Sequence, residues 1–556
     1  MGSDYRRWTE SMQAGGHYEA MDLNPSASAQ RTAVLIVGGS IVGASAALFL
    51  AARGITPVLI EKHPTVSTRL RAKVFYPRTM EAYRSVGAAQ DVYAVQHSLP
   101  PADHAAIVTS LAGPELRRWC LPAAEDFSDV SPCPSALVKQ ADLEEVIRAR
   151  AHAAGADLRF GHRFVRLRQH DDHVEAELLD GQGRPYTVRT DYLLAADGNG
   201  SAVRGQLGIG RRGSEVVSHS MDIGFTADLR QILEGRRLAM AWTDQPQRAY
   251  LSWNTTHDHG TVSVTYDPAV TDLATAFDAE RCRDVASKAL GLPPSRFTIT
   301  GTRPWHMGGW VADSYRSGRI FLVGDAAHVT PPVGGFGANT GIQDAWNFTT
   351  KLVSVLRGDA TPSLLDDYEP ERRTIGSLTV EQALLRLRDR TEVPVENLPL
   401  LSEAAVALGY RYPMAAEDPI ELELPTADEP GRWRGEPGTR LPHLRLTGGA
   451  STLDSVRDGR YLLLAGAEGD LWAQAARELD PHHTFLDVAL LPREVEYGTA
   501  RPADCCGIGD DGALLIRPDH VIAWRTGRAH PNTSRALAEA THRALGGARP
   551  SADAMS

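Results

Sequence analysis

Cysteine is scarce in this chain. Five occur among 556 residues, Cys120, Cys133, Cys282, Cys505 and Cys506. None falls in a CxxC pair or at zinc-ligand spacing, which excludes dithiol redox chemistry and a cysteine zinc site as organising features. Long apolar runs are also missing. None approaches the ~20 residues that span a bilayer, so no membrane association is expected. Positive charge is in deficit: 58 Lys+Arg face 69 Asp+Glu, a net charge of −11. That gives no reason to expect nucleic acid or an anionic membrane as partner. The first 30 residues have neither the basic start nor the apolar centre of a signal peptide. Residues 1–31 read as a flexible tail, and the chain as a reduced, cytoplasmic protein. There is no internal repeat. What remains is ordinary for a globular protein, with 42% apolar and 23% charged residues and length for two to four domains.

Against that plain background, three segments carry chemistry. Thr32–Val37 is a β-branched and apolar run that predicts a buried strand. Gly38-Gly39-Ser40-Ile41-Val42-Gly43 follows. A small-residue helix is expected from Ala44 to Arg53, closed by Gly54. A second strand, Pro57–Lys62, ends in Glu61, 23 positions after Gly38. This is a βαβ unit with an acid at ribose-binding distance. Ser40 stands at the second glycine of the fingerprint and is small enough to keep the turn. Glu61 repels a 2′-phosphate, which favours FAD or NAD over NADP at this site.

The second segment is the strand Asp191–Ala196, ending in Asp197-Gly198 before a helix start. In the third, Arg319–Val323 reads as a strand, and Gly324-Asp325 opens a Gly/Pro loop running to Gly341. A helix follows from Ile342. The acid can accept hydrogen bonds from hydroxyls, the glycines admit close backbone approach, and the helix start favours negative charge. One such strand end could serve a NAD dehydrogenase. Three separated ones suit a longer ligand with adenosine, pyrophosphate, ribityl and ring portions, and FAD is the expected cofactor.

With these three motifs the chain resembles the para-hydroxybenzoate hydroxylase family of single-component FAD-dependent aromatic hydroxylases, over roughly residues 32–545. Within it the chain looks most like actinobacterial aromatic-polyketide hydroxylases. The resemblance implies an α/β fold: a Rossmann-like FAD-binding domain from 32–211 and 300–400, and an α+β substrate domain at 212–299. A linker at 401–442 and a thioredoxin-like domain at 443–556 complete it. It implies that Gly38, Ser40 and Gly43 form the pyrophosphate turn, and that Glu61 and Lys62 meet the ribose. Arg69, Arg71 and Ala72 would lie along the cofactor, and Gln140 would contact it from a helix start. Asp197 and Gly198 would serve FAD and the nicotinamide reductant. Asp325 would hold the ribityl chain, and Pro332 would lie beside the flavin. Gly337, Ala338 and Asn339 would offer backbone groups to its ring.

Alternation at Ala249–Trp253 and Thr261–Tyr266 predicts a sheet roofing the substrate pocket. Phe75, Tyr76, Trp253, Trp305 and Phe336 are the candidate stacking residues. No catalytic base is named by the sequence, and His328 in the flavin loop is not taken for one. No metal site is expected. Three departures from the family pattern point to an unusual pocket: Trp310 where relatives often carry arginine, no tryptophan before Lys351, and Lys73 in a segment usually small or apolar. Residues 365–400 read as a helix with Tyr368, Glu371, Arg372 and Arg373 on an exposed charged stretch. A hairpin is expected at Ala513–Arg525, turning at Pro518-Asp519.

The activity implied by the resemblance is hydroxylation of a phenolic polyketide or related natural product. It would use O2 and NADPH or NADH through a flavin C4a-hydroperoxide, by a monomer or homo-oligomer. Baeyer–Villiger or epoxidising oxygenation on the same fold and a non-catalytic flavin scaffold are the alternatives.

Overall fold

Three apolar runs far apart in the chain become neighbours in one sheet. The structure is a computed structural model describing residues 30–66, 71–96, 104–121, 125–243, 248–254, 256–391, 399–414, 424–446, 448–493 and 501–547. Arg69 and the expected tail up to residue 29 lie outside these. At the centre is β1 (Gln30–Val37), flanked by β2 (Val58–Glu61) and β10 (Pro185–Ala195), with β7 (Asp157–Phe160) and β17 (Ile320–Leu322) beyond. All five run parallel, with Val37 opposite both Ile60 and Ala195, and Ala195 opposite Leu322. β16 (Arg316–Ser317) pairs on β17. A hairpin of β8 (Arg163–Gln169) and β9 (Val174–Leu179) adds to β10. Val34–Val37 of β1, all of β2 and β17, and the last residues of β10 are buried on both faces, which explains their unbroken apolar composition.

Helix α1 (Ile41–Ala51) is buried almost all round, so it has no polar face to show. It begins three residues before the expected start because Ser40 takes the extended N-cap conformation and the Ile41 N–H is accepted by Glu144 at 3.0 Å. α2 (Pro77–Arg84) and α3 (Gln140–Ala153) follow. β3 (Val74–Phe75) and β6 (Ala136–Leu137) pair as a two-stranded antiparallel ribbon. α4 (Ala202–Gln206) follows β10.

The second sheet is larger than expected. It takes β11 (Arg211–Ala227), β12 (Leu238–Thr243), β13 (Ala249–Trp253) and β14 (His259–Tyr266), but also β4 (His104–Val108) and β5 (Glu115–Cys120). Its other edge is β15 (Phe297–Ala312) with β18 (His328–Val329). The domain boundaries at 212 and 299 are therefore corrected: β4 and β5 come from the segment assigned to the FAD domain, and β15 crosses the second boundary. α5 (Ala279–Leu290) covers one face, burying Cys282, Ala286 and Leu290 against Ile223, Leu251 and Val262.

Two long helices, α6 (Phe336–Arg357) and α7 (Tyr368–Thr391), connect to the C-terminal domain. There the sheet order is β20 (Leu486–Leu490), β19 (Tyr461–Ala465), β21 (Ala513–Ile516), β22 (Ile522–Thr526). β19 and β20 are parallel and joined through α8 (Asp470–Leu479). β21 and β22 form the expected hairpin, followed by α9 (Thr533–Ala544). This is the thioredoxin-like arrangement. Its Cys505 and Cys506 are free thiols.

The charged start of α7 is not exposed, contrary to the sequence reading. Tyr368 and Arg372 have 0% exposure and Glu371 2%, while Arg373 is partly buried. Glu371 meets Lys351 and Arg517, each at 2.5 Å, and Arg517 meets Asp519 at 2.6 Å. The β21–β22 turn thus plugs the C-terminal domain into α6 and α7. A buried charge is tolerated when paired in this way.

Candidate active site

The parallel strands bring the sequence motifs to one edge. Gly38 follows β1, Glu61 ends β2, Asp197 lies just past β10, and Gly324-Asp325 lies just past β17. Since these strands are adjacent, the acids and the glycine turn stand in a row across three strand gaps, about 14 Å. An open α/β sheet binds its ligand outside the carboxyl ends of its strands. A cavity of about 500 Å3 lies at the opposite ends, lined by Gln30, Arg31, Thr56, Val58 and Asp157. It carries none of the motifs, and the site is placed at the carboxyl edge.

The glycines are sterically required here. Gly38 has φ +105°, and a Cβ on it would lie 2.3 Å from the Ala196 carbonyl oxygen. A Cβ on Gly43 would lie 1.9 Å from the Gly38 oxygen. The Ser40 hydroxyl is taken up within the protein, donating to Glu144 at 2.6 Å. Gln140 donates to Ser40 at 3.2 Å and Glu144 at 2.8 Å. Arg148 holds the Gly39 carbonyl at 2.6 Å. Gln140 therefore braces the turn through α3, and Glu144 and Arg148 are bracing residues that the sequence reading missed. Glu61 accepts from the backbone N–H of Gly39 and of His63, both at 2.8 Å. Lys62 beside it is exposed.

Asp197 accepts from the Val203 N–H at 3.2 Å, at the start of α4. Its other oxygen is buried with no hydrogen-bond partner among the described residues, and burial raises its carboxyl. Gly198 has φ +84°. Asp325 is exposed to water yet deep in the molecule, so it lines an open cleft rather than a packed core. Burial raises its carboxyl, opposed by His328 and Arg71; Arg71 is thus near it.

α6 aims its first turn at this edge. Its N-cap is Gly335 at φ 68°, with no side-chain cap, which leaves first-turn N–H groups for a ligand. Gly335 and Pro332 are exposed, and Gly337 and Ala338 half-buried. Asn339 spends its amide within the protein. It accepts from the Tyr76 N–H at 2.9 Å and donates to the carbonyls of Val74 and Gly335 at 3.0 and 2.9 Å. A Cβ on Gly341 would sit 2.8 Å from Val42 Cγ2 and 3.0 Å from Gly324 Cα. That close approach brings the starts of α1 and α6 together beside Asp325.

His328 is fully buried, 2.7 Å from Asp344, and holds the loop rather than facing the cleft. Four of the five expected stacking residues are core. Phe75 belongs to the first core, Tyr76 stacks on Phe336 at 6.0 Å, and the Trp253 ring packs with Leu251 and Ala286. Trp305 is different. Its indole N–H donates to Asp222 at 2.7 Å, on the sheet face away from α5. On that face Trp242 lies 5.2 Å from Tyr250 and 5.5 Å from Trp119. Asp222, Trp242 and Tyr250 were not singled out by the sequence reading. Alternation along β12 and β13 marks two faces without saying which is core.

The carboxyl-edge cradle therefore fits FAD on features of the chain itself: space kept by Gly38 and Gly43, an uncapped helix start, and Asp325 in a cleft. Residues 31–383 match the FAD binding domain family. Residues 434–548 match the aromatic-ring hydroxylase C-terminal domain. The chain belongs to the FAD-dependent aromatic-ring hydroxylases and is an FAD-dependent monooxygenase. It is 36% identical over 537 residues to 4-methyl-5-nitrocatechol 5-monooxygenase of Burkholderia sp, covering 92% of this chain and 97% of that one. It is 37% identical over 516 residues to tetracenomycin B2 monooxygenase-dioxygenase of Streptomyces olivaceus, covering 89% and 95%. Among solved structures, aklavinone-11 hydroxylase in ternary complex with FAD and aklavinone superposes with a TM-score of 0.84 at 31% identity, covering 93% and 100%.

Proposed function

We propose that this enzyme hydroxylates a phenolic ring, using O2 and NADPH or NADH, in the cytoplasm. The observation carrying the reading is the row of Glu61, the Gly38 turn, Asp197 and Asp325 along one sheet edge, with the uncapped start of α6 beside it. Bound FAD would supply hydride acceptance and oxygen activation. Glu61 would hold the adenosine ribose and the Gly38–Gly43 turn the pyrophosphate. Asp325 would hold the ribityl hydroxyls. The start of α6, at Gly337 and Ala338, would favour negative charge on the ring system. The face bearing Trp305, Asp222, Trp242 and Tyr250 would cover the aromatic substrate and exclude water.

The test is stopped-flow reduction of the purified flavoprotein by NADPH and by NADH, with a panel of mono- and polycyclic phenols. A phenol that speeds reduction many-fold and is hydroxylated, with its product identified by NMR, supports the reading. Reduction indifferent to every phenol, or a lactone or epoxide as product, contradicts it.

A further inference from the structure

We infer that Lys73 is a specificity-determining residue that receives the anionic oxygen of an acidic phenol, deepening the hydroxylase reading on which it rests. Its backbone is fixed from both sides: the Lys73 carbonyl accepts from Val138 N–H at 3.0 Å, the Ala72 carbonyl from Gln140 N–H at 3.0 Å, and the Val74 carbonyl from Asn339 at 3.0 Å. The segment starts beside the cofactor cradle, where Arg71 acts on Asp325. The Lys73 side chain crosses from there to the second sheet and donates to the Trp253 carbonyl at 2.6 Å, at the end of β13. Lys73 thus stands where the cradle and the substrate sheet meet.

The electrostatics of that position lack a counter-charge. Lys73 is half-buried, bonds the Trp253 carbonyl, and makes no ion pair among the described residues. The charged and titratable groups that act on it or feel it are Lys139 at the start of α3 and His257 in the β13–β14 turn. Neither is an acid. Burial, with Lys139 adding to it, pushes the Lys73 ammonium down to about 8. An ammonium offers three donors, and one carbonyl satisfies one of them. A cation partly withdrawn from water with no anion beside it is disfavoured. An incoming phenolate would supply the missing charge and acceptor through a charge-assisted hydrogen bond. A neutral phenol gains much less there.

The experiment is calorimetric titration of the FAD-loaded protein near neutral pH with para-nitrophenol, a substantial fraction of which is ionised there, and with para-cresol, which stays neutral. Wild type should prefer para-nitrophenol by about tenfold or more, the value of a hydrogen bond to a charged group. Lys73→Met should remove that preference while leaving para-cresol binding unchanged, and Lys73→Arg should keep it. Should Lys73→Met not fold, the wild-type preference must still decline as pH rises through about 8. A wild type that does not discriminate, by binding both alike or neither, overturns the proposal. So does a Lys73→Met protein weakened equally for both probes, since Lys73 then only ties the β13–β14 turn in place. The FAD content of the same samples reports on the cofactor assignment separately, and hydroxylation of neutral phenols reports on the reaction.

Discussion

Asp344 of α6 holds His328 of β18: its Oδ2 lies 2.7 Å from His328 Nε2, both side chains at 0% exposure. The same oxygen accepts from the Gly324 N–H at 3.0 Å, and Oδ1 accepts from Arg372 at 2.7 Å. α6 therefore fixes both ends of the Gly324–His328 loop on which Asp325 sits. Burial alone would raise the Asp344 carboxyl, but His328 and Arg372 more than offset it and hold it below its usual value. Asp344→Asn leaves Arg372 buried without its anion. The expected loss is roughly 3–5 kcal/mol of stability, read by denaturant unfolding, with weaker FAD retention.

Asp325 should behave in the opposite way. It lines the cleft and makes no side-chain hydrogen bond or ion pair among the described residues, so Asp325→Ala should leave the unfolding of the FAD-free protein unchanged. FAD affinity, measured by equilibrium dialysis, should fall about tenfold to a hundredfold, the value of hydrogen bonds to a charged group. Equal FAD binding by the variant would remove Asp325 from the cofactor site.

Gly341→Ala tests the contact between the two helix starts. The added Cβ meets Val42 and Gly324 Cα at 2.8 and 3.0 Å. Overpacking of this kind costs about 1–3 kcal/mol. Urea unfolding should show that loss, and FAD binding should weaken with it because α6 must shift from α1.

The docking of the C-terminal domain should be acid-sensitive. Burial would raise Glu81, but Arg440 and Arg78, with a hydrogen bond from Ser131, hold it down to about 2. Asp519 is likewise held to about 2, chiefly by Arg517 and Lys351 against burial. A carboxyl with a depressed folded pKa adds stability above its unfolded pKa. It loses that stability as pH falls toward the folded value. Stability should therefore decline from the ordinary carboxylate range toward pH 2, and Glu81→Gln should flatten part of that decline in thermal unfolding across this range.

The parts of this molecule legible in sequence are the local ones. The β1 strand, glycine turn and α1, the acids at strand ends, the Gly324–Asp325 loop and the hairpin at Pro518-Asp519 all declare themselves within short windows. The α7 charges did not, because what buries Glu371 and Arg372 is Arg517, Lys351 and Asp344 from other elements. The substrate face escaped for a different reason. Strand alternation separates Tyr250 from Trp253 but gives both faces apolar rings. Only the packing of α5 on one side shows that Trp253 is core and that Tyr250 faces the other way.

The most direct test of the central claim is aerobic turnover with isotope-labelled O2, NAD(P)H and the phenol that most stimulates flavin reduction. The account predicts one labelled oxygen atom in a ring hydroxyl of the product, with NAD(P)H consumed in step. Purified protein that neither carries nor takes up FAD, or turnover that places the label only in peroxide for every phenol, would contradict it.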